Sequence, residues 1–85
     1  MNEINVEIKK HFGVLSRDAN GWAKELNLVS WNNAPAKFEI REWSPDHRRM
    51  SRGVIMTAEE VMMLTTLLNK LMAEIDAEIE EDEDD

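Results

Sequence analysis

Cysteine is absent from this 85-residue chain, so neither disulfides nor thiolate metal sites can staple it, and a small uncrosslinked chain fits a reducing, cytoplasmic compartment. Glycine occurs only at 13, 21 and 53, which leaves no glycine-rich loop to cradle a phosphate. No apolar run approaches the length of a membrane span, and the first ten residues, MNEINVEIKK, carry two glutamates and no long apolar core, unlike a signal peptide. Histidine is as scarce: His11 and His47 have no cysteine and no second histidine at ligand spacing, so no metal site is expected. Asp46 beside His47 has the look of half a catalytic dyad, but no motif sets Ser44 or Ser51 on a sharp elbow with an oxyanion hole. An enzyme is not expected, nor is a cofactor.

What is present is unevenly spread. The net charge is -8, yet residues 1–55 hold nine Lys and Arg against seven Asp and Glu, while residues 56–85 hold one Lys against eleven acids. Six of those acids form EEDEDD at 80–85, and like-charge blocks of this kind are normally disordered tails. We therefore expect one domain over 1–79 and an acidic tail over 80–85. The tail either solubilises or competes with nucleic acid for the basic region. A domain of this size buries a modest fraction of its surface, which favours dimerisation.

In Ile4 to Val14, Ile4, Val6 and Ile8 alternate with Asn5, Glu7 and Lys9, the period of a half-buried strand, and Gly13 is placed for a bulge. Turn formers follow at 16–21, SRDANG. A second strand spans Trp22 to Trp31, with Lys24, Leu26, Leu28 and Ser30 on one face and Glu25, Asn27, Val29 and Trp31 on the other. After the turn NNAPA, a third strand, Lys37 to Trp43, sets Phe38 and Ile40 against Lys37, Glu39, Arg41 and Trp43. The parity predicts Leu26, Leu28, Phe38 and Ile40 in the core and Trp31, Lys37, Arg41 and Trp43 on the solvent face, and leaves Trp22 at the strand edge open between the two. The segment 44–53 reads as a long loop rich in arginine, followed by a short fourth strand over Gly53 to Thr57.

Thr57 and Glu60 form a T-x-x-E capping box, which predicts a helix from Ala58 to about Ile79. Val61, Leu64, Leu67, Leu68, Leu71, Met72, Ile75 and Ile79 fall within an arc of roughly 140°, wider than the ~100° stripe of an ordinary surface helix. One sheet does not cover such an arc, and Met63, Leu64, Leu67, Leu68, Leu71 and Ile75 are the expected contacts with a second copy.

All three tryptophans lie between 22 and 43, with Lys24, Lys37 and Arg41 among them. Flat rings set among cations suit single-stranded nucleic acid, because unpaired bases expose their faces for stacking while Lys and Arg neutralise phosphates. The alternative is a protein-interaction module whose aromatic face docks a polypeptide or a dimer mate. RNA in place of DNA would differ only in ribose contacts.

The pieces GWAKELNLVSWN (21–32), KFEIREWSPDHRRMSRG (37–53) and VIMTAEEV (54–61) resemble the single-stranded-DNA-binding domain of the transcriptional positive coactivator four family, in particular its bacterial YdbC-like branch. The resemblance spans roughly residues 20–75. It implies a curved four-stranded antiparallel sheet followed by one long helix, an α+β fold of order ββββα, and a homodimer joined through the helices. It also implies binding of single-stranded DNA with little sequence preference, in transcription, replication or repair. By position the family's stacking aromatics fall on Trp31 and Trp43, its strand cations on Lys24, Lys37 and Arg41, and its loop cations on Arg48, Arg49 and Arg52.

Overall fold

The computed structural model describes residues 4–83 in backbone and 4–78 in side chain. Its elements are β1 (Val6–Arg17), β2 (Ala23–Trp31), β3 (Lys37–Trp43), β4 (Val54–Met56) and α1 (Ala58–Glu83). The strands form one open antiparallel sheet in the order β1-β2-β3-β4, so the chain has the expected ββββα fold.

The local chemistry accounts for the boundaries. β2 and β3 are joined by a turn in which Asn32 and Asn33 take positive φ of 50° and 64°, a conformation asparagine tolerates. The Ser30 hydroxyl donates to the Ala34 carbonyl and closes that turn. Thr57 and Glu60 form the reciprocal cap, with the Thr57 N–H on Glu60 Oε1 at 2.9 Å and the Glu60 N–H on Thr57 Oγ1 at 3.1 Å. α1 continues through Glu83, four residues into the run expected to form a disordered tail; residues 84–85 lie outside the described ones.

β1 runs three residues beyond its expected end and is irregular. Its pairing with β2 shifts register between Ile8 and Lys10, between His11 and Gly13, and between Val14 and Ser16. Each shift resets the parity, so Ile8, His11 and Val14 share a face with Val29, Asn27 and Glu25. Phe12, inside the second shift, goes to the other face, where its ring lies 6.0 Å from that of Phe38.

The sheet thus has two unlike faces. One carries Glu25, Asn27, Val29 and Trp31 of β2 beside Lys37, Glu39, Arg41 and Trp43 of β3; we call it the network face. The other, the leucine face, pairs Leu26 with Ile40 and Leu28 with Phe38 and continues to Val54 and Met56.

Which face is closed reverses the expectation. Glu25, Asn27, Val29, Glu39 and Trp43 of the network face are buried, whereas Leu26, Leu28, Phe38 and Ile40 are only half-buried. The physical reason is where the covering segments go. Among the described residues α1 touches only β3 and β4, and of its side chains there only Val61 and Leu64 are even half-buried. Of the contacts expected with a second copy, Met63, Leu67, Leu68, Leu71 and Ile75 are exposed within the single chain. The side chain of Ile79 lies outside the described residues.

The helix therefore projects from the sheet. The radius of gyration is 16.8 Å, where a compact chain of this length has about 12 Å. Among the described residues, no helix is long and apolar enough to cross a membrane.

Candidate functional site

The network face is built from two buried carboxylates and the donors that satisfy them. Glu39 is 1% exposed and paired in register with Asn27. Its Oε1 accepts from Arg41 Nε at 2.7 Å, and its Oε2 accepts from Trp31 Nε1 at 2.9 Å and from the second arm of Arg41 at 3.3 Å. The Arg41 guanidinium also donates to the Ser51 carbonyl at 2.7 Å and lies 4.9 Å from the centre of the Trp31 ring. One carboxylate thus orients both the indole and the cation stacked on it, an arrangement favoured because a buried ion pair needs its remaining donors and acceptors filled.

Glu25 anchors the other end of the face. Its Oε1 accepts from Asn27 Nδ2 at 3.1 Å, and its Oε2 lies 2.9 Å from His47 Nε2. Asn27 is fully buried, and its Oδ1 lies 2.7 Å from His11 Nδ1. A carboxylate only accepts, so His47 carries its proton on Nε2; with Asn27 donating to Glu25, its oxygen requires the His11 proton on Nδ1. Among the described residues, no group of three or more His, Cys, Asp or Glu is arranged to hold a metal ion.

His47 reaches Glu25 because the 44–53 segment is a tight, hydrogen-bonded turn. The Ser44 hydroxyl donates to Asp46 Oδ1 at 2.8 Å and accepts from the Arg49 N–H at 3.0 Å. His47 takes a positive φ of 59°, and its ring stacks 5.6 Å from that of Trp43. The Arg48 N–H, at 3.0 Å, and the Ser44 hydroxyl hold the exposed Asp46 carboxyl below its ordinary value of 3.8.

The expected binding residues divide accordingly. Trp31 is half-buried and lines a slot of about 210 Å³ with Val29, Pro35, Lys37 and Ile55. Lys37, Arg48, Arg49 and Arg52 are exposed, and none of the ion pairs among the described residues engages them.

Three expectations are corrected. Trp43 is not in solvent: it is 1% exposed, because the turn after it folds His47 onto its ring. Its Nε1 is buried with no hydrogen-bond partner among the described residues. Arg41 is not a free cation, since its side chain is 10% exposed and committed to Glu39 and Ser51. Lys24 is exposed but on the leucine face, across from Glu42, so it does not share a surface with Trp31.

Glu25, Asn27, Glu39, His11 and His47 carry the network, and sequence reasoning assigns none of them a role in the site. Parity did place Glu25, Asn27 and Glu39 beside Trp31 and Arg41. Nothing local brings His47 to a carboxylate 22 residues away.

No family model matches the chain. An uncharacterized protein of Treponema pallidum (strain Nichols) is 41% identical to it over 70 residues, which is 82% of this chain and 82% of that protein. An identity of that size over so much of both chains shows common descent, and the chain belongs to the same family as that Treponema protein.

Proposed function

We propose that the chain is a non-enzymatic, homodimeric single-stranded-DNA-binding protein of the positive coactivator four type, acting in the cytoplasm on strands exposed in transcription, replication or repair. The observation that carries this reading is the Trp31 slot. Its volume, about 210 Å³, is below the range of drug-sized pockets and suits one flat ring, its walls are mostly apolar, and Lys37 lies at its edge. Trp31 is held in place by Glu39 and Arg41 before any ligand arrives, so little side-chain freedom remains to be lost on binding.

Phosphates would be held by Lys37, Arg48, Arg49 and Arg52, which are exposed and outside the ion pairs of the described residues. Arg41 and Trp43 act from beneath, as supports for Trp31 and His47. Electrostatic binding of this kind weakens as salt rises, whereas stacking on Trp31 is worth about 1–3 kcal/mol per base and tolerates any sequence.

Dimerisation is supported by the exposed apolar surface. The chain presents 7051 Å², where a compact folded chain of this mass presents roughly 5,200 Å². The open leucine face and the Leu67, Leu68 and Leu71 stripe lie within that excess and offer a second copy an apolar surface to cover.

Titration with oligothymidine, followed by tryptophan fluorescence, tests the reading. Salt-sensitive quenching is expected, with much weaker binding of duplex DNA; no quenching at low ionic strength would sink it. Trp31→Ala should weaken binding by about 1–3 kcal/mol while the domain stays folded by circular dichroism.

A further inference from the structure

A second cavity, of about 310 Å³, opens on the same network face, at the end remote from the Trp31 slot. Its lining includes Glu25, His11, His47 and Arg17. Glu25 is 3% exposed, yet only the Asn27 amide and the His47 imidazole lie within hydrogen-bond distance of it; the His11 ring stands at 3.6 Å from Oε1, and among the described residues no arginine or lysine pairs with it. A carboxylate has about four acceptor positions on its two oxygens, so each oxygen of Glu25 keeps capacity for a further donor. A buried acceptor pair with spare capacity beside an open cavity suits a ligand that brings two adjacent N–H groups.

On the reading of this face as a single-strand-binding surface, on which this inference rests, the ligand is a base, and the donor pattern selects among bases. Guanine alone carries adjacent N–H donors, N1–H and the N2 amino group, on one edge. Cytosine and adenine set a ring acceptor beside their amino group, and thymine flanks its one N–H with two carbonyls. Each of these three would turn a lone pair toward the Glu25 carboxylate. Arg17 is exposed and outside the ion pairs of the described residues, placed for the phosphate of that nucleotide.

We propose that the Glu25 cavity is a guanine-reading site, giving an otherwise sequence-tolerant surface one position of base preference. Glu25 and Trp31 are six residues apart on β2, about 20 Å at ~3.3 Å per residue. At the ~3.4 Å rise of a stacked strand that span covers at most about six nucleotides, and fewer when the strand is stretched.

The experiment compares oligothymidine with the same oligomer carrying a single guanine placed in turn at successive positions. At one register the guanine oligomer should bind about tenfold tighter, the scale of one bidentate base contact. Glu25→Gln should bring the ratio of the two affinities to about one; because a ratio is read, a general weakening cancels. Should that variant fail to fold, replacing the guanine with inosine, which keeps N1–H and lacks the amino group, should remove most of the gain on the unaltered protein. Equal affinity for guanine and thymine at every position, or a gain that survives both changes, overturns the guanine site while leaving the strand-binding reading intact. No binding of oligothymidine at all would instead remove that reading, and this site with it.

Discussion

The two faces of the sheet are closed by different means. On the network face, Glu25, Asn27 and Trp43 are sealed within the single chain by groups that come from β1 and from the turn after β3, and Glu39 by Trp31 and Arg41 of β2 and β3 themselves. On the leucine face, Leu26, Leu28, Phe38 and Ile40 remain half-open, and the stripe of α1 that matches them in character is exposed. Polar residues are buried where donors and acceptors can be matched at 2.7–3.1 Å, because an unmatched buried carboxylate would be costly. Apolar residues carry no such pairing demand and can wait for a second surface. The lesson is that residue polarity tells which face seeks a partner, and does not tell which face is covered first.

The contrast can be broken from the leucine side, where both protomers of a dimer lose the contact at once. Leu68→Asp sets a charge in the exposed stripe, and if that stripe meets a second copy it should cost about 2–5 kcal/mol per protomer and yield monomers in sedimentation. An unchanged assembly and melting temperature would place the contact elsewhere.

On the network face, Glu39→Ala should cost about 3–5 kcal/mol in urea denaturation, since it strands the Arg41 guanidinium and the Trp31 N–H together. Glu39→Gln keeps one acceptor and should lose less. If alanine costs under about 1 kcal/mol, the network does not hold that face.

A smaller effect is expected where the faces share backbone. A Cβ on Gly53 would meet the Ile40 carbonyl oxygen at 2.8 Å and the Arg41 guanidinium carbon at 2.9 Å, so Gly53→Ala should cost about 1–3 kcal/mol by forcing β3 and the preceding turn apart. Thermal melts of the variant check this, and an unchanged midpoint would mean the turn yields freely.

The smallest effect concerns Asp46. The Arg48 N–H and the Ser44 hydroxyl lower its folded-state value, so what it adds to the turn is complete above its ordinary 3.8 and is lost as pH falls through the lower folded value. Amide exchange at Arg48 should therefore accelerate only in strong acid, and Asp46→Asn should flatten that dependence. Protection of Arg48 that fades near neutral pH would point to another group.

Much of the fold was legible because it rests on local periods. Alternation in WAKELNLVSW and KFEIREW placed both strands and sorted their residues into two faces correctly. The capping box located the start of α1 to the residue. β1 was less legible, because three register shifts interrupt its alternation. The site was legible in part. Trp31 and Lys37 do line one slot, but Trp43 and Arg41 were expected in solvent and lie beneath the surface.

By itself, then, the sequence determined the elements, their order and the pairing of residues into faces, since each follows from interactions a few residues apart. The tertiary structure decided which face is sealed, by bringing His11 to Asn27 and His47 to Glu25 across 16 and 22 residues. It also decided that α1 leans on β3 and β4 alone, leaving the leucines open. Burial is a property of whatever arrives from elsewhere in the chain, and no local pattern encodes that arrival.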